Sequence, residues 1–339
     1  MNAKLIGIEY HLPDNCETNE DLLRANPDWE MGKIYAKSGI ACRHVALPDE
    51  TANDLGFWAA QKLLGKQLVK PDEIDFLLCC TQTPDHFLPP NAALLQQRLG
   101  LGRHIGAFDI NLGCSGYVYG LQVAKCLVQT SQARNVLLVA TDTYSKHLHP
   151  RDRSVRTLFG DGGAATLIGG ADDGPGGIGE FLVGTDGRGA AKLIVPSGAG
   201  RLPRSSATAA EQTDKSGCVR SQDNLYMDGA AVYSFAVSTV PRLVSSLLDR
   251  CGYTVDDIDW FVYHQANKFM LETLAELSGI PWKKMVVSLE DVGNTVSASI
   301  PIALKRYVDG GQIQPGHRML LVGFGVGYSW AACVATWGG

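Results

Sequence analysis

The feature that most constrains the fold is an internal repeat. The stretch "PDEIDFLLCCTQT" at 71–83 resembles "VDDIDWFVYHQAN" at 255–267, and the step from 71 to 255 is 184 residues. A second stretch, "NVLLVATDTYS" at 135–145, resembles "RMLLVGFGVGYS" at 318–329, and aligning Leu137 with Leu320 gives a step of 183. Apolar strands resemble one another by chance, so neither match carries much alone. Their shared offset points to a duplicated unit. The halves fall at 1–170 and 226–339. Between them, 171–225 is rich in Gly, Ser, Ala and Asp and reads as a few strands joined by long loops. Strand-like runs at 75–80, 135–140, 164–170, 260–264 and 318–323 alternate with helical patterns at 53–65, 91–99, 115–130, 229–251, 267–278 and 296–308. That alternation is the signature of an α/β layered fold.

Duplication has a chemical corollary. Equivalent strand ends of the two halves meet around one central site, each half offering its own loops. The offset sets His264 opposite Cys80 and brings the loop of Cys114 near "NTVSAS" at 294–299. The halves then carry different residues at related positions, as a site assembled from both requires.

Cys114 stands in "FDINLGCSGYVYGLQVAKCL", between an apolar strand and a segment with helical spacing at Tyr117, Leu121, Ala124 and Leu127. A cysteine at a helix N-terminus meets unpaired amides and the positive end of the macrodipole, which favour the nucleophilic thiolate. Read singly, it is first a small buried cysteine in a tight turn, and only partner residues favour the nucleophile. His264 ends an apolar strand, and Asn294 sits in a Gly-Asn turn before a helix. Each taken alone also fits a structural histidine and a turn or cap residue. Glycines 323, 325 and 327 form G-x-G-x-G, but a strand and not a helix follows, so a dinucleotide loop is excluded by its context. Asp161 in "FGDGG" reads as a structural turn carboxylate. His86, His147 and His149 read as exposed loop histidines, and Cys79 and Cys80 as core.

Composition narrows the remaining classes. A formal net charge of −5 with no Lys/Arg cluster argues against a nucleic-acid or membrane-surface partner. No apolar run suggests a signal peptide or a membrane span. The nine cysteines are scattered without a C-x-x-C pair, so neither a disulfide framework nor a metal site is indicated, and a reducing cytoplasm is the natural setting.

Five segments together are more specific. "GCSGYVYGL", "LFGDGGAA", "HQAN", "GNTVSAS" and "GFGVGYSW" occur in the order and context of the β-ketoacyl-ACP synthase III family of the thiolase superfamily. The match extends from "SGIACRH" to "YSWAACV", nearly the whole chain. The resemblance implies a thiolase-like five-layer αβαβα fold of two duplicated halves, a homodimer, and no tightly bound cofactor. It implies that Cys114 takes an acyl group from a CoA or acyl-carrier-protein thioester. His264 and Asn294 would then hold the thioester carbonyl of a malonyl-ACP or malonyl-CoA extender as carbon dioxide leaves, with His264 neutral and protonated on the nitrogen facing the substrate. The acyl oxyanion would be met by the amides of Cys114 and Val326, and Phe324 would shield the site. Arg153, Lys33, Lys37 and Asn267 fall at positions by the CoA, and Leu88 falls where a partner subunit closes the acyl pocket.

The chain also departs from the family. Lys33 and Lys37 stand where the housekeeping enzyme has a tryptophan and an arginine for CoA. Lys268 and Phe269 replace a Leu-Arg pair, and Glu276 and Leu277 replace two lysines that greet an acidic carrier protein. The expectation is therefore a specialised condensing enzyme of a lipid, polyketide or secondary-metabolite pathway. Two alternatives use the same resemblance: an acyltransferase making an ester or amide from acyl-Cys114, and a partner subunit of a condensing heterodimer. Degradative thiolases are rejected, because "RMLLVGFG" lacks their second cysteine.

Overall fold

A computed structural model describes residues 2–171 and 177–338. Two sheets carry the same order of strands. In the first, Phe76–Cys80 runs parallel to Asn135–Asp142, which pairs antiparallel with Gly162–Ala171, which pairs antiparallel with Asn2–His11. In the second, Trp260–Tyr263 runs parallel to Arg318–Gly325, followed antiparallel by Ser329–Thr336 and then Gly177–Thr185. The first sheet adds Gly106–Ile110 beyond Phe76–Cys80. At the corresponding edge of the second sheet there is one parallel bridge, Phe261 to Met285.

Burial explains the layering. The strand "NVLLVATD" is buried from Val136 to Asp142, as a central parallel strand covered on both faces should be. On one face of the first sheet lie helices Ala52–Leu64 and Asn91–Arg98, sharing a core with Leu77, Cys79, Leu137 and Val139. On the other lies Gly116–Gln129, whose Tyr117, Val118, Leu121, Ala124 and Val128 follow helical spacing and touch both sheets. Ser299–Asp309 lies beside it in the same central layer. Helices Gly229–Cys251 and Lys268–Leu277 cover the far face of the second sheet. The result is the five-layer αβαβα arrangement of two like halves.

Two sequence expectations change. The segment 171–225 was expected to connect the halves, yet its residues 177–185 form the outer strand of the second sheet. That strand is glycine-containing and half-exposed, so no apolar run marks it; residues 172–176 lie outside the described residues. The 23-residue helix Gly229–Cys251 is long and apolar enough to cross a membrane by length and composition, contrary to the expectation that no segment approaches a span. Its Phe235, Val240, Leu243, Val244 and Leu247 instead pack as a core stripe on the second sheet.

Candidate active site

Cys114 is 5 % exposed and stands one residue before the cap of helix Gly116–Gln129. The glycine loop closes over it. A methyl group on Gly325 would lie 2.7 Å from the Cys114 sulfur, so only glycine allows this approach. The main-chain N–H groups of Val326 and of Cys114 itself are directed at the sulfur. Two main-chain donors converging on one sulfur can hold an oxyanion formed beside it.

His264 follows strand Trp260–Tyr263, and its main-chain N–H donates to the Val322 carbonyl at 2.8 Å. Its ring meets Phe324 edge-on, with centroids 5.8 Å apart at 83°. Asn294 is fixed by its backbone, donating to the Leu158 carbonyl at 2.9 Å and accepting from Gly160 N–H at 3.0 Å.

Val296 joins these parts. Its φ of 54° places a β-branched residue in the left-handed region, a conformation that costs about 1–3 kcal/mol and persists only where the surroundings enforce it. The turn aims its N–H at Asn294 Oδ1, 3.0 Å away, which leaves the amide nitrogen of Asn294 free as a donor. Its carbonyl accepts from the Ser299 hydroxyl at 2.9 Å, and Ser299 Oγ lies 2.7 Å from His264 Nδ1. A Cβ on Gly113, the neighbour of Cys114, would stand 3.1 Å from Val296 Cγ1. Cysteine, histidine and asparagine are thus tied to one strained residue. Ser299 serves either ring tautomer: with its proton on the carbonyl it accepts from Nδ1–H, and turned to the ring it donates to Nδ1 and leaves the proton on Nε2.

Burial sets the protonation states. It pushes the Cys114 thiol up to about 12, with the Asp142 charge adding to the rise and the two N–H groups opposing it. The helix end was expected to favour the thiolate, and the two N–H groups act in that direction, but desolvation outweighs them. Burial also holds His264 down to about 3, so the ring is neutral near pH 7. Asp142 is buried without a cation and accepts from Gln82 N–H at 2.8 Å and from the Ser297 hydroxyl at 2.5 Å. It clasps a loop of each half behind Cys114, and burial lifts its carboxyl to about 6.

The other expected residues are more dispersed. Arg153 is exposed and donates to the Ser216 carbonyl at 2.5 Å. Lys33 pairs with Glu30 at 2.5 Å, and Lys37 is exposed on the same helix, Met31–Ser38. That helix ends against the next, since a Cβ on Gly39 would stand 2.6 Å from Lys268 Cβ. Asn267 caps helix Lys268–Leu277 by accepting from Met270 N–H at 2.8 Å. Leu88 is 82 % exposed on a loop edging a cavity of about 1230 Å³. Asp161 is structural, accepting from Ala46 N–H at 2.8 Å and from both the amide and the hydroxyl of Ser145. His149 is buried and pairs with Glu211 at 3.0 Å, unlike the exposed loop residue expected.

Known proteins resemble this chain throughout. Family models described as 3-oxoacyl-[acyl-carrier-protein (ACP)] synthase III and its C-terminal part match residues 108–187 and 248–337. The β-ketoacyl-[acyl-carrier-protein] synthase III 3 of Streptomyces coelicolor is 38 % identical over 98 % of this chain and 96 % of its own. A crystal structure of a 3-oxoacyl-(acyl-carrier-protein) synthase III superimposes with a TM-score of 0.97 at 50 % identity, covering 99 % of this chain and 100 % of its own. The priming β-ketosynthase of the R1128 polyketide pathway gives 0.85 at 31 % identity, covering 99 % and 96 %. With a duplicated thiolase-type fold and a cysteine, a histidine and an asparagine gathered under one glycine loop, the chain belongs to the β-ketoacyl-ACP synthase III family of condensing acyltransferases.

Proposed function

We propose that the protein loads an acyl group from a CoA or carrier-protein thioester onto Cys114 and extends it from a malonyl thioester with loss of carbon dioxide. The observation that carries this reading is the convergence of Cys114, His264 and Asn294 on Val296 beneath the Val326 amide. A thiol pushed to about 12 needs a base, and neutral His264 with Nε2 bare accepts its proton as sulfur attacks the donor carbonyl. The Val326 and Cys114 amides hold the oxyanion. The donor's carbon–sulfur bond breaks, and its thiolate takes the proton back from His264.

In the second step the malonyl carboxylate leaves as carbon dioxide, and its bonding pair passes to the adjacent carbon as an enolate. Between the steps His264 releases its Nδ1 proton to solvent and takes one on Nε2, with Ser299 turned to donate to Nδ1; Asn294 and His264 Nε2–H then donate to the enolate oxygen. The carbanion attacks acyl-Cys114, the carbon–sulfur bond breaks, and the Cys114 sulfur takes a proton from solvent. The product is a β-ketoacyl thioester.

The donor-recognition surface supports a specialised role. Phe269 stacks on Tyr233 at 5.6 Å where the family resemblance places a cation, and Lys33 is engaged with Glu30. Phe87 and Leu88, 84 % and 82 % exposed, support a homodimer that covers them. Nine free thiols support a reducing compartment, the cytoplasm.

Intact-protein mass spectrometry with a panel of acyl-CoAs and acyl carrier proteins tests the reading. One acyl mass on the wild type, none on Cys114→Ala, and carbon dioxide released on adding malonyl thioester are the expected results. Adducts on Cys114→Ala would overturn the choice of nucleophile. Acylation that ends in an ester or amide without carbon dioxide would replace condensation by simple acyl transfer.

A further inference from the structure

The cavity beside the glycine loop has two unlike walls. It opens past Val326 and Gly327, and its near side carries Tyr144, Leu193 and Leu225. These three pack in one apolar cluster with Cys114, so an acyl chain on the sulfur runs along them. The far side carries His147 and Arg204. His147 Nδ1 is shut off from solvent and has no hydrogen-bond partner among the described residues. Arg204 comes from the Gly- and Ser-rich excursion after Leu193–Ile194 and folds back over Gly198, where a Cβ would stand 3.2 Å from its Nε. Among the described residues no hydrogen bond or ion pair holds its guanidinium. Asp223, the acid that feels its charge, is engaged by the Ser197 hydroxyl. Burial and then the Arg204 charge lower the His147 pKa, which leaves the ring neutral. Lys146 also lines the cavity but donates to the Leu47 and Pro48 carbonyls, and Asp85 accepts from the Thr51 hydroxyl and Asn53 N–H, so Arg204 is the cation left unpaired among the described lining residues.

An apolar lane leading from Cys114 to an unpaired guanidinium, with the His147 ring beside it, lacks one thing, an anion at the far end. A guanidinium meets a carboxylate in a two-pronged, charge-assisted geometry, and the His147 ring with its proton on Nε2, the nitrogen that is not sealed off, adds a third donor. We propose that Arg204 and His147 select acyl donors ending in a carboxylate, that is, monothioesters of dicarboxylic acids. This rests on Cys114 being the acyl carrier.

The test compares rates of Cys114 loading by succinyl-, glutaryl- and adipyl-CoA with those by butyryl-, valeryl- and hexanoyl-CoA, followed by intact mass. At least one carboxyacyl donor is expected to load about tenfold or more faster than its neutral counterpart, because a site built for a polar group discriminates against its absence. Arg204→Gln is expected to collapse that ratio, Arg204→Lys to keep part of it, and His147→Phe to reduce it. Faster or equal loading by the neutral donors across the panel overturns the proposal, as does an Arg204→Gln variant with an unchanged ratio. Dissociation of an oligomer by Arg204→Gln, read by light scattering, would make Arg204 an interface residue and overturn it too. Loading by neither kind of donor would instead bring down the Cys114 reading, because the neutral donors make no demand on Arg204.

Discussion

The two halves offer the same scaffold position to different chemistry. Strands Phe76–Cys80 and Trp260–Tyr263 occupy equivalent places, one ending in Cys80 and the other leading into His264. Cys80 is a core thiol that donates to the Leu112 carbonyl at 3.1 Å, whereas His264 faces the glycine loop's Phe324 and leans on Ser299. The central helices contrast in the same way. The N-terminal one begins beside the nucleophile, and the C-terminal one begins at Ser299, the counterpart of Ser115 at an offset of 184 residues (115 to 299). Duplication supplied the frame, and only divergence at matched strand and helix ends made a site. Neither half holds both the proposed nucleophile and its proposed base.

The largest expected effect tests that asymmetry directly. His264→Ala should slow Cys114 acylation by about a hundredfold to ten-thousandfold, the usual contribution of a positioned acid–base group. Cys80→Ala, at the matched position, should keep most of the rate. Stopped-flow loading assays on both variants would break the comparison if their losses were alike.

Next in size is the pH dependence of the thiol. With Cys114 pushed up to about 12, its thiolate fraction grows about tenfold per pH unit through neutrality. Iodoacetamide labelling of Cys114, followed by peptide mapping, should rise about a hundredfold from pH 7 to pH 9. A plateau below pH 8 would mean that the helix end prevails over burial after all.

Smaller effects come from the paired serines. Ser299→Ala removes the hydroxyl that orients His264 and should reduce turnover by up to about tenfold, the scale of one hydrogen bond, and alter the pH–rate profile. Ser115→Ala removes a 2.6 Å bond to Ser329 and should lower stability by about 1 kcal/mol, with the shape of that profile preserved.

Stability against pH gives a fourth measurement. The folded His264 pKa lies below its unfolded value of 6.5, so its contribution is complete above pH 6.5 and is lost on acidification toward 3. Asp142 is raised from 3.8 to about 6, so its contribution is complete below 3.8 and is lost as pH rises toward 6. The two slopes cancel between about pH 4 and 6. His264→Gln removes the histidine slope and leaves that of Asp142 unopposed, so urea denaturation should show the variant's stability falling with rising pH by about 1.4 kcal/mol per unit more than the wild type's in that window.

Much of the fold was legible because the repeat is written in buried strands, where apolar runs are compulsory. Cys114 and His264 were legible for a related reason, since each closely follows such a run, whereas Asn294 was legible only from its Gly-Asn turn and the resemblance. Strand Gly177–Thr185 was hidden because an outer, half-exposed strand needs no continuous apolar pattern. The left-handed turn at Val296 was hidden because valine is among the residues least suited to it. Ser299 had a readable signal, its offset from Ser115, although its contact with His264 exists only in three dimensions. The protonation of Cys114 depends on how much water the folded loops exclude, and no local motif states that.

That protonation has a bearing on survival. Peroxides consume thiolates, and cysteines with standing negative charge climb the ladder to sulfenic and sulfinic acids first. A nucleophile kept discharged until a substrate and its base are in place is a poor target for such oxidants. On the proposed reading, burial beneath Gly325 would act as a safety catch, letting Cys114 wait in an oxidising burst without being spent.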